Sequence, residues 1–211
     1  MVQASFLKLP EQRKAAILQS GTAEFAAKSY SDASTDEITK SCGISKGLLF
    51  HYFGSKRDFY LYCLEQALAK VVADTPPPEA GDFYGIIFSM MDEKIRLCRQ
   101  FPDETRLLNM AARETGKEVQ EDKNKFIAGS LAHTRAQSAR TMARAVGTLR
   151  LKHTDRERAT VALSVYAGAL IRTYMETYQE KPDEFFERAG EIQREIREYL
   201  DLMLYGIVKE D

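Results

Sequence analysis

Between positions 34 and 59 the chain is punctuated at short intervals by Ser34, then Gly43-Ile44-Ser45, then Gly54-Ser55. Serine is suited to the residue that opens a helix, because its hydroxyl accepts an otherwise orphaned backbone N–H. Glycine is suited to the residue just past a helix end, where a positive φ is needed. The spacing predicts a short helix from Ser34 to Cys42, a tight turn at Gly43, a second short helix from Lys46 to Phe53, and a longer one opened by Ser55. Glu37 stands three residues after Ser34, so the two can form a capping box. Two short helices joined by a glycine turn are the layout of a helix-turn-helix.

The wheel of the 46–53 helix separates two faces. At about 100° per residue, Leu49 and Phe53 lie within about 40° of each other. They form the inward face, with Ile17, Phe25, Ile38 and Ile44 as packing partners. Gly47 and His51 occupy the opposite direction; Lys46 and Phe50 fall on one flank, Leu48 and Tyr52 on the other. That outer ridge suits a helix lying in a DNA major groove. Lys46 can reach a phosphate or a guanine edge, and Leu48 can touch a thymine methyl. Gly47 puts no Cβ between backbone and DNA. His51 and Tyr52 can hydrogen-bond phosphates or bases, although Tyr52 equally suits the core and Arg57 a solvated surface. Ser34 and Thr35 sit at a helix N-terminus, which favours a phosphate, and Lys56 and Arg57 repeat the arrangement one helix later.

Charge supports a local reader of DNA rather than a basic protein. The 211 residues carry 30 Lys/Arg and 31 Asp/Glu, a formal net charge of -1. Residues 1–58 hold eight of the basic and six of the acidic residues, leaving 22 and 25 for the remainder. The N-terminal segment is therefore weakly positive and the rest weakly negative, so nucleic-acid binding has to come from a patch.

The rest of the chain reads as helical. A first helix opens at Leu9-Pro10-Glu11 and fades near Ser29-Tyr30-Ser31, with Ala15, Ile17, Leu18, Gly21 and Phe25 on its inner face. Thr75-Pro76-Pro77-Pro78-Glu79-Ala80-Gly81 interrupts the pattern. Further helices are expected at 82–100, 103–115, 117–150, 154–180 and 183–208. No stretch alternates with a period of two, so no sheet is expected. There is no apolar run long enough for a membrane span, and MVQASFLKLPEQRK lacks the apolar core and small-residue cleavage site of a secretory leader, so none is expected there. Cys42, Cys63 and Cys98 form no CxxC pair, which fits free thiols in a reducing cytoplasm.

Residues 12–64 resemble the DNA-binding domain of the TetR family of transcriptional regulators. The resemblance lies in Ser34-Thr35-Asp36-Glu37-Ile38, in Cys42-Gly43-Ile44-Ser45-Lys46-Gly47, and in Leu49-Phe50-His51-Tyr52-Phe53-Gly54-Ser55-Lys56-Arg57-Asp58-Phe59. It implies an all-α fold of about nine helices. Residues 1–56 would be a three-helix DNA-binding domain, a helix at about 55–73 would connect, and residues 57–211 would bind an effector and dimerise. It implies DNA contact at Ser34, Thr35, Ser45, Lys46, Gly47, His51, Tyr52 and Lys56. Two departures alter the reader: Leu48 replaces the usual Thr and Phe50 the usual Tyr, so apolar groove contacts take the place of two hydroxyls. Ser29 stands where Gly is usual, and Thr39 and Cys42 where Ala is common.

Members of that family are homodimers that bind pseudo-palindromic double-stranded operators, more often as repressors than as activators, and usually hold a pocket for a small molecule that releases them. The resemblance implies the same here, with the last two helices at the dimer interface and no cofactor. The residues fit independently. Helix 183–208 carries Ile192, Ile196, Tyr199, Leu200, Met203 and Ile207 in one stripe, and helix 154–180 is apolar on more than one side, with Val165 and the small residues Gly168 and Ala169, as either a helix facing both its own core and a second subunit or a buried central helix of a monomer would be. Candidate pocket residues are Phe83, Phe88, Met91, Met110, Phe126, Tyr166, Tyr174 and Tyr178, a mix suited to an apolar or aromatic effector. The same residue types at helical spacing also build ordinary cores, and the sequence leaves both readings standing. As for catalysis, none of the motifs GxGxxG, GxxxxGK[ST] or HExxH occurs, the one GxSxG spacing, Gly43-Ile44-Ser45-Lys46-Gly47, falls in the turn between two short helices with no strand before it, and the three histidines are scattered. An enzyme is not expected. A helical interaction protein that has lost DNA binding is the other alternative, and Lys46, Gly47 and Lys56 argue against it.

Overall fold

The computed structural model describes residues 2–71, 81–152, 155–178 and 181–206, with the side chains of a few helical positions left aside. The proline-rich break at 75–81 lies almost wholly outside the described residues. Among the described residues there are eleven helices and no strand: α1 (Ala4–Leu7), α2 (Glu11–Ala27), α3 (Thr35–Cys42), α4 (Lys46–Phe53), α5 (Lys56–Val71), α6 (Phe83–Gln100), α7 (Pro102–Arg113), α8 (Lys117–Gly147), α9 (Arg156–Tyr178), α10 (Pro182–Glu187) and α11 (Ala189–Tyr205). The all-α expectation is met, with two helices more than the nine expected. One is α1, too short to show a period in the sequence. The other arises at Arg188, whose φ of -90° and ψ of 9° end α10 and start α11, dividing the helix expected at 183–208.

The chain forms two compact units. One comprises residues 1–74 and 96–134, the other 75–95 and 135–211. In the first, α2 packs against α3, α5 and α7, and α5 also packs against α7. The core is strongly aromatic: Phe6, Phe25, Phe53 and Phe59 are fully buried together with Ile17, Ile38, Leu49, Leu64 and Leu107. Rings meet at 4.5 Å between Phe53 and Phe59 and at 5.0 Å between Phe25 and Tyr60. Gly21 lets α2 and α5 approach closely, since a Cβ there would fall 2.4 Å from the Phe59 ring and 3.0 Å from Cys63 Sγ. Cys63 is wholly enclosed, and burial pushes its thiol far up.

The second unit has its own core of Phe83, Tyr84 and Ile86 on α6, Met142, Ala145 and Val146 on α8, Leu163 and Tyr178 on α9, and Ile192, Ile196 and Leu200 on α11. Polar ties join its helices. Tyr174 donates to Glu195 at 2.7 Å, Arg188 donates to the Tyr178 hydroxyl at 2.7 Å, and Tyr84 donates to Asp201.

Candidate nucleic-acid interface

The turn between α3 and α4 is built as its residues dictate. Gly43 takes φ 64° and ψ 45°, the left-handed region that lacks a Cβ penalty only for glycine. Arg13 on α2 braces the turn by donating to the Gly43 carbonyl at 2.8 Å. Ser45 accepts the Leu48 N–H at 3.2 Å and so opens α4. Gly54, at φ 82°, ends α4, and Ser55 accepts the Asp58 N–H at 3.0 Å at the start of α5.

The capping box expected at α3 is half local. Ser34 accepts the Glu37 N–H at 3.3 Å, but the Ser34 N–H donates to Glu24 of α2 at 2.8 Å instead of to Glu37. Glu24 also takes Lys28 Nζ at 2.8 Å. Partial burial pushes the Glu24 carboxyl up; the Lys28 and Ser34 contacts outweigh it and leave the group below its ordinary value. A capping partner from another helix cannot be read from local spacing.

The expected two-faced character of α4 is present. Leu49 and Phe53 are buried, whereas Ser45, Lys46, Gly47, Leu48 and His51 are exposed and Phe50 is half-buried. Nothing lies within 4 Å of where a Gly47 Cβ would stand. Lys46 Nζ pairs with Asp36 of α3 at 2.9 Å, both groups being open to solvent. Lys56, half-buried, places Nζ 4.8 Å from the Tyr30 ring centre and donates to the Ser31 carbonyl at 3.3 Å.

Two of the expected DNA contacts have another setting. Thr35 and Tyr52 are both buried, Tyr52 being only 7% exposed. The reason at Tyr52 is α1. Phe6 is driven into the core 5.7 Å from the Tyr52 ring, 4.7 Å from Phe53 and 5.9 Å from Tyr62. The same segment is tied to α4 by the Gln3 N–H donating to the Tyr52 carbonyl at 2.9 Å, and Ser5 Oγ lies 3.3 Å from His51 Nε2. Sequence reasoning missed this strap. The only available signal was the apolar Phe6, Leu7 and Leu9 ahead of Pro10, too few positions to establish a period.

A second missed set lies where α7 gives way to α8. Glu114 accepts the Tyr30 N–H at 2.9 Å and the Gly116 N–H at 2.8 Å. Tyr30 donates its hydroxyl to Glu118 at 2.7 Å, and burial first, then that bond, pushes the phenol well above its ordinary value. Arg57 donates from Nε to the Glu118 carbonyl at 3.0 Å and pairs with Asp122.

The candidate effector and interface residues fall as follows. Phe83 and Tyr178 belong to the core of the second unit, with Phe88, Met91, Tyr166 and Tyr174 half-buried against it. Met110 is half-buried on α7 in the first unit. Phe126 lies on α8 with its side chain outside the described residues, and Ile207 lies outside them altogether. Ile196 and Leu200 are buried within their own unit, Gly168 is half-buried, and Val165, Ala169 and Met203 are exposed. Among the described residues, no helix is long and apolar enough to cross a membrane, and no group of three or more His, Cys, Asp or Glu could hold a metal ion.

Residues 17–63 match the tetR family of bacterial regulatory proteins. No curated protein matches the chain. Solved structures share the fold. A TetR family transcriptional regulator from Chloroflexus aurantiacus J-10-FL superposes with a TM-score of 0.58 at 22% identity, over 97% of this chain and 97% of its own. Native NalD of Pseudomonas aeruginosa, the secondary repressor of the MexAB-OprM multidrug efflux pump, gives 0.58 at 18% identity over 95% of this chain and 99% of its own. PfmR, a TetR family transcriptional regulator from Thermus thermophilus, gives 0.53 at 20% identity over 92% of this chain and 99% of its own. At these identities the likeness is one of fold.

Proposed function

We propose that this TetR-family regulator works in the cytoplasm as a homodimeric repressor, binding a pseudo-palindromic DNA operator and releasing it when a small apolar or aromatic effector binds. The observation that carries the reading is the outer face of α4. Lys46, Gly47, Leu48 and His51 are presented to solvent on a short helix whose other side, Leu49 and Phe53, is locked into an aromatic core. A helix so anchored can enter a major groove as a rigid body.

Within this reading residues 1–56 are the DNA reader, α5 is the connection, and residues 57–211 bind effector and partner. Lys46 exchanges Asp36 for a phosphate or a guanine edge. Gly47 lets the backbone come close, Leu48 and Phe50 supply apolar contact, and His51 donates to phosphate or base. Ser34, Ser45 and Lys56 stand at the helix starts, where phosphates are favoured. Thr35 and Tyr52 serve chiefly by packing, which keeps the helices in register.

The exposed apolar residues of α9 and α11 supply the dimer face. Val161, Val165 and Ile171 on α9 and Tyr199, Leu202 and Met203 on α11 are open to solvent in one protomer. A second copy covering them would pair two recognition helices about one DNA turn, or about 34 Å, apart. The half-buried Phe88, Met91, Tyr166 and Tyr174 support an aromatic or apolar effector in the second unit.

The test is DNA selected from a random pool by the purified protein, measured by fluorescence anisotropy across a salt series. Binding should weaken steeply with salt, log affinity falling by about 0.9 per phosphate contact for each log unit of salt. Lys46→Ala should weaken binding about tenfold and lower the slope by about one contact. Selection of no sequence above random DNA would overturn the reading.

A further inference from the structure

We propose that Tyr30 is a positioning residue for Lys56, and that the start of α8, through Glu118, holds Tyr30 in the pose that presents the Lys56 ammonium to DNA. The inference rests on the function proposed above and adds to it a group outside the DNA-facing helices. A lysine on a free four-carbon stem loses rotamer freedom when it meets a phosphate. Lys56 has already lost much of it, because its ammonium sits 4.8 Å from the Tyr30 ring centre and donates to the Ser31 carbonyl. A cation over an aromatic face is held electrostatically while its remaining N–H groups stay available.

The ring itself is fixed from three directions. The residue's backbone N–H is held by Glu114, its hydroxyl by Glu118, and its ring centre lies 5.1 Å from that of Tyr60, the two planes tilted by 56°. The neighbouring Arg57 points to α8 instead, onto the Glu118 carbonyl and Asp122. Two adjacent cations at the start of α5 thus divide their work: Arg57 fastens the helix to α8, and Lys56 is left, steadied by Tyr30, beside the 29–34 loop that leads into α3.

The test exploits a sign. Glu118 is an exposed carboxylate in the same unit as the DNA reader, and simple electrostatics predicts that removing it tightens DNA binding. Positioning predicts the reverse. Glu118→Ala should weaken specific binding by about two- to tenfold, the scale of one side chain that must be ordered anew on binding. Tyr30→Phe, which loses the hydroxyl bond without changing charge or the ring, should weaken it similarly. Glu118→Gln keeps an acceptor oxygen for Tyr30 and should restore most of the affinity.

In a Lys56→Ala background, which should itself bind more weakly, Glu118→Ala and Tyr30→Phe should have no further effect. Circular dichroism and thermal melting separate loss of fold from loss of positioning, and Tyr30→Phe keeps the test alive if Glu118→Ala unfolds. Unchanged or tighter binding by both single variants, or effects that simply add to that of Lys56→Ala, would overturn the inference while leaving the function standing. Failure of the wild-type protein to bind any selected DNA would remove the function itself.

Discussion

Gly47 places two requirements in opposition. It lies in the first turn of a helix, where glycine costs less than the roughly 1 kcal/mol it costs in a helix interior but still disfavours the helix relative to alanine, and its surroundings are open. Folding therefore gives no reason for it, whereas close approach of the α4 backbone to DNA does. Gly47→Ala should raise the stability of the free protein, by less than about 1 kcal/mol in a denaturant melt, and should weaken operator binding in the same preparation. If stability and affinity rise together, the backbone of α4 does not approach DNA at this position. Tyr52 teaches the converse. Its place on the wheel suits a DNA contact or the core, and its burial beside Phe6 puts the Tyr52 end of that flank inside while Leu48, one turn earlier, stays open.

Helix α1 has only four residues, and no helix that short holds itself together. It stays because Phe6 fills a gap lined by Tyr52, Phe53 and Tyr62. Phe6→Ala should cost about 3 kcal/mol, the lower end of the range for a buried phenylalanine, because so short a segment can undock and spare the rest of the core. Denaturant unfolding monitored by tyrosine fluorescence measures it, and a loss below about 0.5 kcal/mol, the scale of a surface change, would mean that α1 is not part of the reader. Elements with internal punctuation were legible beforehand: Ser34, Gly43, Ser45, Gly54 and Ser55 mark α3, α4 and the start of α5 as the structure has them. The elements without punctuation were not. α1 is too short for a period, and at the junction of α10 and α11 Arg188 itself is an ordinary helix former, with Gly190 falling just inside the next helix and not at a helix end.

For the molecule as a whole, the stripe of α11 suited to a partner subunit is divided between the core of its own unit and solvent. Ile192, Ile196 and Leu200 are in the core of the second unit, whereas Tyr199 and Met203 of the same stripe, with Leu202 beside them, are exposed. On α9, Val165 is 67% exposed, with Val161 about 40° away around the helix. In a protein that assembles, exposed aliphatic residues of this kind are the ones a partner covers. Val165→Glu should therefore convert a dimer to monomers in sedimentation or light scattering and reduce operator affinity, with helical content unchanged. A wild-type protein that is monomeric at micromolar concentration, or a variant that remains dimeric, would show that α9 is not the interface.

By itself the sequence determined the helical class, the capped turn, and which side of α4 faces inward, because capping and helical periodicity are local and act over three or four residues. It also carried the resemblance of residues 12–64, since that pattern has fixed spacing. Only the tertiary structure decided that Glu24 completes the cap of Ser34, that α1 buries Tyr52 and sets Ser5 beside the still exposed His51, and that Glu114 and Glu118 hold Tyr30. Those partners lie 10, 46, 84 and 88 residues apart along the chain. No periodicity links such distances, and the contacts exist only because burial of the aromatic core brings α1, α2, α7 and α8 to the helix-turn-helix.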